Sequence, residues 1–267
     1  MGYGYEVSIS SEQVKQGGVL AVKIEDLNPK AKYTCSLDKR NYPLYVYGNN
    51  KLWAIIGISV GLEQGKHKIK ITEILNNVKS NKEYYADVLS GGFRKETVKF
   101  TEEKQDLISS PKMKQESNTI SNALKTEEET QLWKGNFIIP CKGKITGEFG
   151  SSRYDKYGDL LWYHKGVDFG VKIGTPVIAS NDGYVTLARK DFEVNGRTVS
   201  IDHGQGISTI YIHLENVEVQ EGQKVEKGDW IGSSGSTGIA TGPNLHWGLY
   251  VHGVAVNPMD WTENAPQ

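Results

Sequence analysis

The chain has 267 residues, and its 31 basic and 32 acidic side chains give a formal net charge of −1. This balance excludes nucleic-acid binding through bulk electrostatics, and 37% hydrophobic with 24% charged residues excludes a disordered chain. No apolar run approaches the roughly 18 residues of a membrane span, and two cysteines are too few for a disulfide framework or a four-cysteine zinc site. The length favours two domains.

Residues 1–102 predict a small β-sandwich. Four segments rich in β-branched and aromatic residues are separated by turns containing Gly, Asn and Pro, and they span residues 19–24, 44–47, 53–58 and 67–71. Short strands at this spacing are typical of a sandwich of two antiparallel sheets. Residues 103–134 then become polar and lose the strand alternation. This segment predicts a linker with a helical stretch near residues 118–132.

Residues 135–267 predict a second β domain. Strand-like segments span residues 175–179, 183–187, 198–201 and 208–212, and glycines mark tight turns between further short strands. The chain as a whole is therefore predicted to be mostly β. Cys35 and Cys141 lie in different halves, so an interdomain disulfide and two separate buried thiols both stay open.

Five of the six histidines follow residue 160, and His164 stands four residues before Asp168. A neutral imidazole and a carboxylate are good zinc ligands, and a catalytic zinc site uses three protein ligands with one open position. The spacing alone equally fits a surface histidine near an acid. His246 is a candidate third ligand, and Asn244 lies on the same face of a strand two residues earlier. His213 fits either a packed imidazole or a functional one.

Several motifs occur in a fixed order after residue 160. They are His164-x-x-x-Asp168, Gly174-Thr175-Pro176-Val177, Asp202-His203-Gly204, Tyr211-Ile212-His213-Leu214, Gly222-Gln223-Lys224-Val225 and Gly242-Pro243-x-Leu245-His246-Trp247. In this order the segment resembles the lysostaphin-type zinc metallopeptidases, peptidase family M23, also called the LytM domain. The resemblance covers residues 135–267 and implies an antiparallel β-sheet domain. The sandwich ahead of it resembles the immunoglobulin-like domain that precedes some of these peptidases.

The resemblance implies roles for individual residues. His164, Asp168 and His246 match the zinc ligands, and His213 matches a catalytic histidine beside the metal. Arg153, in the opening Phe-Gly-x-x-Arg segment, and Tyr211 are expected to bind substrate. The implied activity is zinc-dependent hydrolysis of peptide bonds in bacterial peptidoglycan, in the stem peptide or the cross-bridge.

The sequence departs from the family pattern at Asn244, where the family has the first histidine of His-x-His. An amide cannot accept or carry a proton near neutral pH, although it can donate a hydrogen bond to an oxyanion. Three explanations follow: an active enzyme with a variant site, a natural pseudoenzyme, or a deliberately inactivated chain. The alternative function is a non-catalytic LytM-type regulator that activates another cell-wall hydrolase.

The expected partner is a peptidoglycan peptide, with no nucleic acid and with a wall-associated or membrane-anchored protein as a second partner class. We expect an extracytoplasmic location, and the first residues look like a cut inside a longer precursor that carried a signal or an anchor. The N-terminal sandwich would either position the enzyme on the wall or cover its cleft. The sequence leaves both roles, the bond cleaved and the oligomeric state open.

Overall fold

A computed structural model describes residues 4–98, 100–125 and 128–266, and its contacts divide the chain into two units. The first runs to Gly91 and the second from Gly92 to Ala265. In its described part the first unit contains strands β1 to β9, which are Glu6–Ile9, Gln13–Lys15, Val19–Glu25, Lys32–Leu37, Arg40–Tyr42, Tyr45–Gly48, Lys51–Gly57, Gly65–Leu75 and Val78–Leu89.

These strands form two sheets, one in the order β1, β3, β7, β6 and the other in the order β2, β9, β8, β4, β5. Strand β3 shows why they pack face to face, because its buried residues Leu20, Val22 and Ile24 alternate with partly exposed ones. They share one core with Ile69 and Ile71 of β8. The predicted sandwich is confirmed, and its relationship to immunoglobulin domains stays a prediction.

The second unit is built around a large sheet. In chain order its elements are β10 (Lys95–Thr97), α1 (Glu102–Ser109), α2 (Pro111–Ala123), β11 (Lys144–Gly147), β12 (Ser152–Tyr154), β13 (Leu160–Tyr163), β14 (Val167–Gly170), β15 (Pro176–Ile178), β16 (Gly183–Arg189), β17 (Arg197–Gly204), β18 (Ile207–Val217), β19 (Lys224–Val225), β20 (Trp230–Ser234), β21 (Asn244–Val251), β22 (Val254–Val256) and α3 (Pro258–Glu263).

The main sheet runs in the order β11, β14, β21, β18, β17, β16, β19, with antiparallel pairing throughout. Strands β15 and β20 pair with each other, β20 also pairs with β18, and β22 extends β21. Strands β10, β12 and β13 form a separate small sheet. The central strands β18 and β21 are almost entirely buried, so the sheet is covered on both faces. The prediction of a mostly β chain is confirmed.

The segment predicted as a linker at residues 103–134 packs within the second unit. Its helices also begin earlier than the predicted stretch at residues 118–132. Helix α1 starts after Thr101, and α2 starts at Pro111, where the missing N–H of proline costs no hydrogen bond in the first turn. Trp133 is buried edge-to-face against Trp261 of α3, which ties the end of this segment to the sheet domain.

Cys35 and Cys141 are free thiols, each buried in its own unit, and burial raises the pKa of each to about 12. Neither is therefore a reactive thiolate at neutral pH. Among the described residues, no helix is both long and apolar enough to cross a membrane.

His203 gives the second unit a pH-dependent stability. Its ring is fully buried, with Nδ1 on the Asp182 carbonyl and Nε2 on the Thr209 hydroxyl, and burial lowers its pKa from 6.5 to about 4. The folded state therefore binds fewer protons than the unfolded state. The contribution of His203 to the free energy of unfolding is complete above pH 6.5 and is lost as the pH falls towards 4.

We expect this loss to reach about 2 kcal/mol between pH 7 and pH 5. Urea unfolding at both pH values measures this loss as the difference between the unmodified chain and His203→Gln, whose amide does not titrate. Asp202, whose pKa burial raises to about 6, titrates in both proteins and cancels in the comparison. Equal pH dependence of the two proteins would contradict the prediction.

Candidate metal centre

Neighbouring strands bring two of the predicted ligands together. Strands β14 and β21 pair antiparallel, with Asp168 directly opposite His246. Because partners across two strands project to the same face, their side chains meet. His164 lies in the turn between β13 and β14, and its backbone is held by hydrogen bonds with Gly150 and Ser151. The turn places its ring, which is 4% exposed, beside the other two side chains.

Three donor atoms converge at this point. His164 Nε2 lies 2.9 Å from Asp168 Oδ1 and 3.0 Å from His246 Nδ1, and the latter two atoms are 2.8 Å apart. His164 Nδ1 is 2.8 Å from the Glu148 carbonyl, to which it must donate, so Nε2 presents a lone pair to the group. Three such atoms this close together can share one metal ion, and two imidazoles with one carboxylate are a donor set that suits zinc. The residues therefore fit a metal ion.

The surroundings of Asp168 fix its charge and orientation. Burial acts to raise the pKa of Asp168, but its contacts with His164 and His246 outweigh burial and hold this pKa well below its usual range. The Arg153 guanidinium donates to the second oxygen, Oδ2, at 2.9 Å. Gly147 leaves room for this pair, since a Cβ atom there would lie 2.5 Å from Oδ2. Asp168 is thus ionised, with Oδ1 directed at the metal position.

Arg153, which is predicted to bind substrate, instead contacts a candidate metal ligand. It lines the cavity, but one of its terminal nitrogens is already bound to Asp168.

Tyr211 is also predicted to bind substrate, and the structure contradicts this. Its ring is 0% exposed, and its hydroxyl accepts the Ser180 N–H at 2.9 Å and contacts the Thr209 hydroxyl. Strand alternation points Tyr211 into the core, whereas its neighbours Ile210 and Ile212 face the cavity.

His213 reaches the metal centre through a local irregularity. Alternation along β18 would turn its side chain away from the face of Ile212. A β-bulge between the Arg197–Leu214 and Val199–Tyr211 pairs, together with a φ of 65° at His213, turns it towards His246. The two ring centres are 6.5 Å apart. Positive φ is uncommon for a residue other than glycine and marks a position that its surroundings hold in place.

The ring of His213 is held in one tautomer. Its Nδ1 donates to the Thr237 carbonyl at 2.8 Å, which leaves Nε2 as the acceptor. Burial, followed by the nearby His246, lowers the pKa of His213 to about 4. The imidazole is therefore neutral at physiological pH and able to accept a proton at Nε2.

Asn244 lies at the start of β21, two residues before His246, and lines the same cavity as His213. Its Nδ2 donates to the Gly242 carbonyl at 2.8 Å. Its Oδ1 is buried without a hydrogen-bond partner among the described residues. The amide is therefore placed beside the metal centre, with one polar atom unused.

The cavity at the centre has a volume of about 320 Å³. Its polar end carries the metal donors, His213 and Asn244. Its apolar part lies between helix α2 and the sheet, lined by Met113, Ile120, Leu124, Ile210, Ile212 and Tyr250. The sequence did not predict that α2 lines this cavity, because no local sequence pattern indicates where a polar helix will pack. It also missed Glu148 and Thr237, which act through backbone carbonyls and need no particular side chain for this contact.

The fold and the site define a class of protein: a β-sheet domain with a two-histidine, one-carboxylate metal centre and a neutral histidine beside it. Residues 162–258 match Peptidase family M23, and this domain of the chain belongs to that family.

Curated relatives carry related domains. The chain is 41% identical over 123 residues to the peptidoglycan DD-endopeptidase ShyA of Vibrio cholerae, which covers 46% of this chain and 28% of that protein. It is 39% identical over 104 residues to the DD-carboxypeptidase/endopeptidase Mpg of Neisseria meningitidis, covering 39% of this chain and 24% of Mpg. An uncharacterized metalloprotease of Haemophilus influenzae is 40% identical over 130 residues, with 48% and 27% covered. The chain thus spans about a quarter of the length of these relatives.

A solved structure has a similar fold over most of the chain. A putative peptidase M23 from Pseudomonas aeruginosa superposes with a TM-score of 0.65 over 92% of this chain and 94% of that one. The two sequences are 24% identical, so this similarity concerns the fold alone.

Proposed function

We propose that the chain is a zinc-dependent endopeptidase that hydrolyses peptide bonds in bacterial peptidoglycan. The observation that carries the proposal is the convergence of His164 Nε2, Asp168 Oδ1 and His246 Nδ1 beside the neutral ring of His213. The names of ShyA and Mpg support the substrate class. Because peptidoglycan lies outside the cytoplasm, the proposal includes an extracytoplasmic location.

Each residue has a defined part in this reaction. His164, Asp168 and His246 would hold zinc, which when bound polarises the scissile carbonyl and lowers the pKa of a water molecule. Arg153 orients Asp168 through its hydrogen bond to Oδ2. His213 accepts a proton at Nε2 and can return it to the leaving amine, while Thr237 keeps Nδ1 protonated. Asn244 is limited to donating or accepting hydrogen bonds, so His213 is the sole proton carrier among these groups.

The test is release of muropeptides from purified peptidoglycan by the zinc-loaded full chain, followed by liquid chromatography and mass spectrometry. We expect release that EDTA abolishes and added zinc restores. The masses of the products would identify the bond that is cut. Release that persists in EDTA would contradict the assignment of zinc to the three donors.

A non-catalytic regulator of another wall hydrolase is the second candidate, and Asn244 is the observation that favours it. Such a regulator would bind its partner without releasing muropeptides itself. Absence of release from both the unmodified chain and the Asn244→His variant, with zinc bound in each, would favour this function.

A further inference from the structure

Helix α2 carries a buried glutamate that is bound to a loop of the sheet domain. Glu116 is 6% exposed and is the one buried residue in the two helices α1 and α2. Its Oε1 accepts the backbone N–H groups of Glu193 at 2.6 Å and Val194 at 3.0 Å. Its Oε2 accepts both the backbone N–H and the side-chain Nδ2 of Asn195, each at 2.8 Å.

Four donors therefore surround one carboxylate. Burying an ionised group is costly unless hydrogen bonds replace its hydration, and here both oxygens are satisfied. Burying an apolar side chain at this position would carry no desolvation penalty, but an apolar group could not bind three successive backbone N–H groups. The arrangement fixes the conformation of residues 193–197, which form the end of the connection from β16 and the first residue of β17. This segment is called the 193–197 loop.

The 193–197 loop is in turn bound to the residues around His213. The Asn195 carbonyl accepts the His213 N–H at 3.3 Å, and the Val194 carbonyl accepts the Ile239 N–H at 2.9 Å. The Arg197 N–H donates to Thr237 Oγ1 at 3.1 Å. The loop therefore contacts both the backbone of His213 and the turn that contains Thr237.

The approach of the two segments is close. Gly196 has a φ of 70°, and a Cβ atom there would collide with Thr237 Oγ1. Thr237 Oγ1 also donates to the Leu214 carbonyl at 2.8 Å, next to His213 in β18. The Thr237 carbonyl, which receives Nδ1–H of His213, is thus located by hydrogen bonds from the 193–197 loop and from β18.

We propose that Glu116 is a positioning residue for His213, acting through the 193–197 loop and Thr237. This inference rests on the proposed function, in which His213 carries the proton. The positive φ of His213 is a conformation that the chain adopts only when its surroundings hold it. Through Glu116, helix α2, which lies outside the matched family segment at residues 162–258, thereby helps to position His213.

The test compares Glu116→Ala and Glu116→Gln with Lys112→Ala in the zinc-loaded full chain. Lys112 is the matched control, since it joins the same helix to the same loop through an exposed ion pair with Glu193. We expect kcat to fall about 10–100-fold in Glu116→Ala, because small displacements of a catalytic group have effects of this size. Glu116→Gln should lie in between, since its amide keeps one acceptor oxygen. Zinc content and the Lys112→Ala rate should be unchanged.

A second pair of variants tests the contact between the 193–197 loop and Thr237 without changing helix α2. Thr237→Val removes the hydroxyl that links the 193–197 loop to β18 and should reproduce the fall in kcat. Thr237→Ser keeps the hydroxyl and should lower kcat by less than Thr237→Val does. Both leave Glu116 in place. This pair separates positioning of His213 from a general loss of folding in the Glu116 variants.

Nuclear magnetic resonance supplies a readout independent of hydrolysis. The Nδ1 proton of His213, bound to the Thr237 carbonyl, should exchange slowly with solvent in the unmodified chain and in Lys112→Ala, and faster in Glu116→Ala. If the unmodified chain releases no muropeptides, the proposed function fails, and the exchange measurement alone still decides the positioning role.

An unchanged exchange rate in Glu116→Ala would overturn the inference. A rise in kcat in this variant would also overturn it, and would identify α2 as a cover that restrains the site.

Discussion

Replacing Asn244 by histidine should raise the rate of muropeptide release about 10²–10⁴-fold, the usual contribution of a general acid–base group. The imidazole would stand beside the metal centre and provide a second proton carrier next to His213. The cavity of about 320 Å³ that Asn244 lines leaves space for the larger ring. Steady-state rates of product release by the two zinc-loaded proteins measure the effect.

Asn244→Gln is the matched control, because it enlarges the side chain while keeping an amide. A similar gain in both variants would mean that size, not proton transfer, limits the reaction. No gain in the histidine variant, beside measurable activity in the unmodified chain, would show that His213 suffices for all proton transfers.

Replacing His164 by alanine should abolish both zinc binding and hydrolysis. The ring supplies one of three donor atoms that lie 2.8–3.0 Å apart, and its loss leaves two. Loss of residues that merely contact a metal ligand lowers metal affinity about 10–100-fold, so loss of a ligand should lower it at least about 100-fold. Competition titration with a zinc chelator measures the affinity, and muropeptide release measures the activity.

His67→Ala provides the control, since it removes a histidine from the N-terminal unit, where the ring contacts Asp38 and the Glu63 carbonyl. Zinc affinity and activity should both be unaffected by it. Retention of tight zinc binding in His164→Ala, with an unchanged fold by circular dichroism, would contradict the assignment of this ligand.

Much of the candidate site could be predicted because its chemistry depends on residue types at fixed spacings. His164 lies in the turn that leads into β14, four positions before Asp168 in that strand, and His246 lies in the strand that pairs with β14. The order of the motifs along the chain linked His164 and Asp168 to His246, about 80 residues away. No local pattern contains this information. The two β units were predictable for a similar reason, since alternation such as that of β3 depends on neighbouring residues alone.

The contacts around these residues depended on tertiary structure. Tyr211 has the sequence position of a site residue, yet strand alternation turns it into the core. His213 would face the same way if the β-bulge and its positive φ did not redirect it. No sequence rule locates such a bulge, because it arises from the register between two strands.

The sequence by itself therefore determined two β domains, the three candidate metal ligands and the departure from the family pattern at Asn244. Tertiary structure decided the direction of His213, the binding of Arg153 to Asp168 and the position of helix α2. Glu116 is the clearest case, because its partners lie 77 to 79 residues along the chain. Side-chain type and periodicity are local properties of a chain, whereas hydrogen bonds between distant segments exist only after the chain has folded.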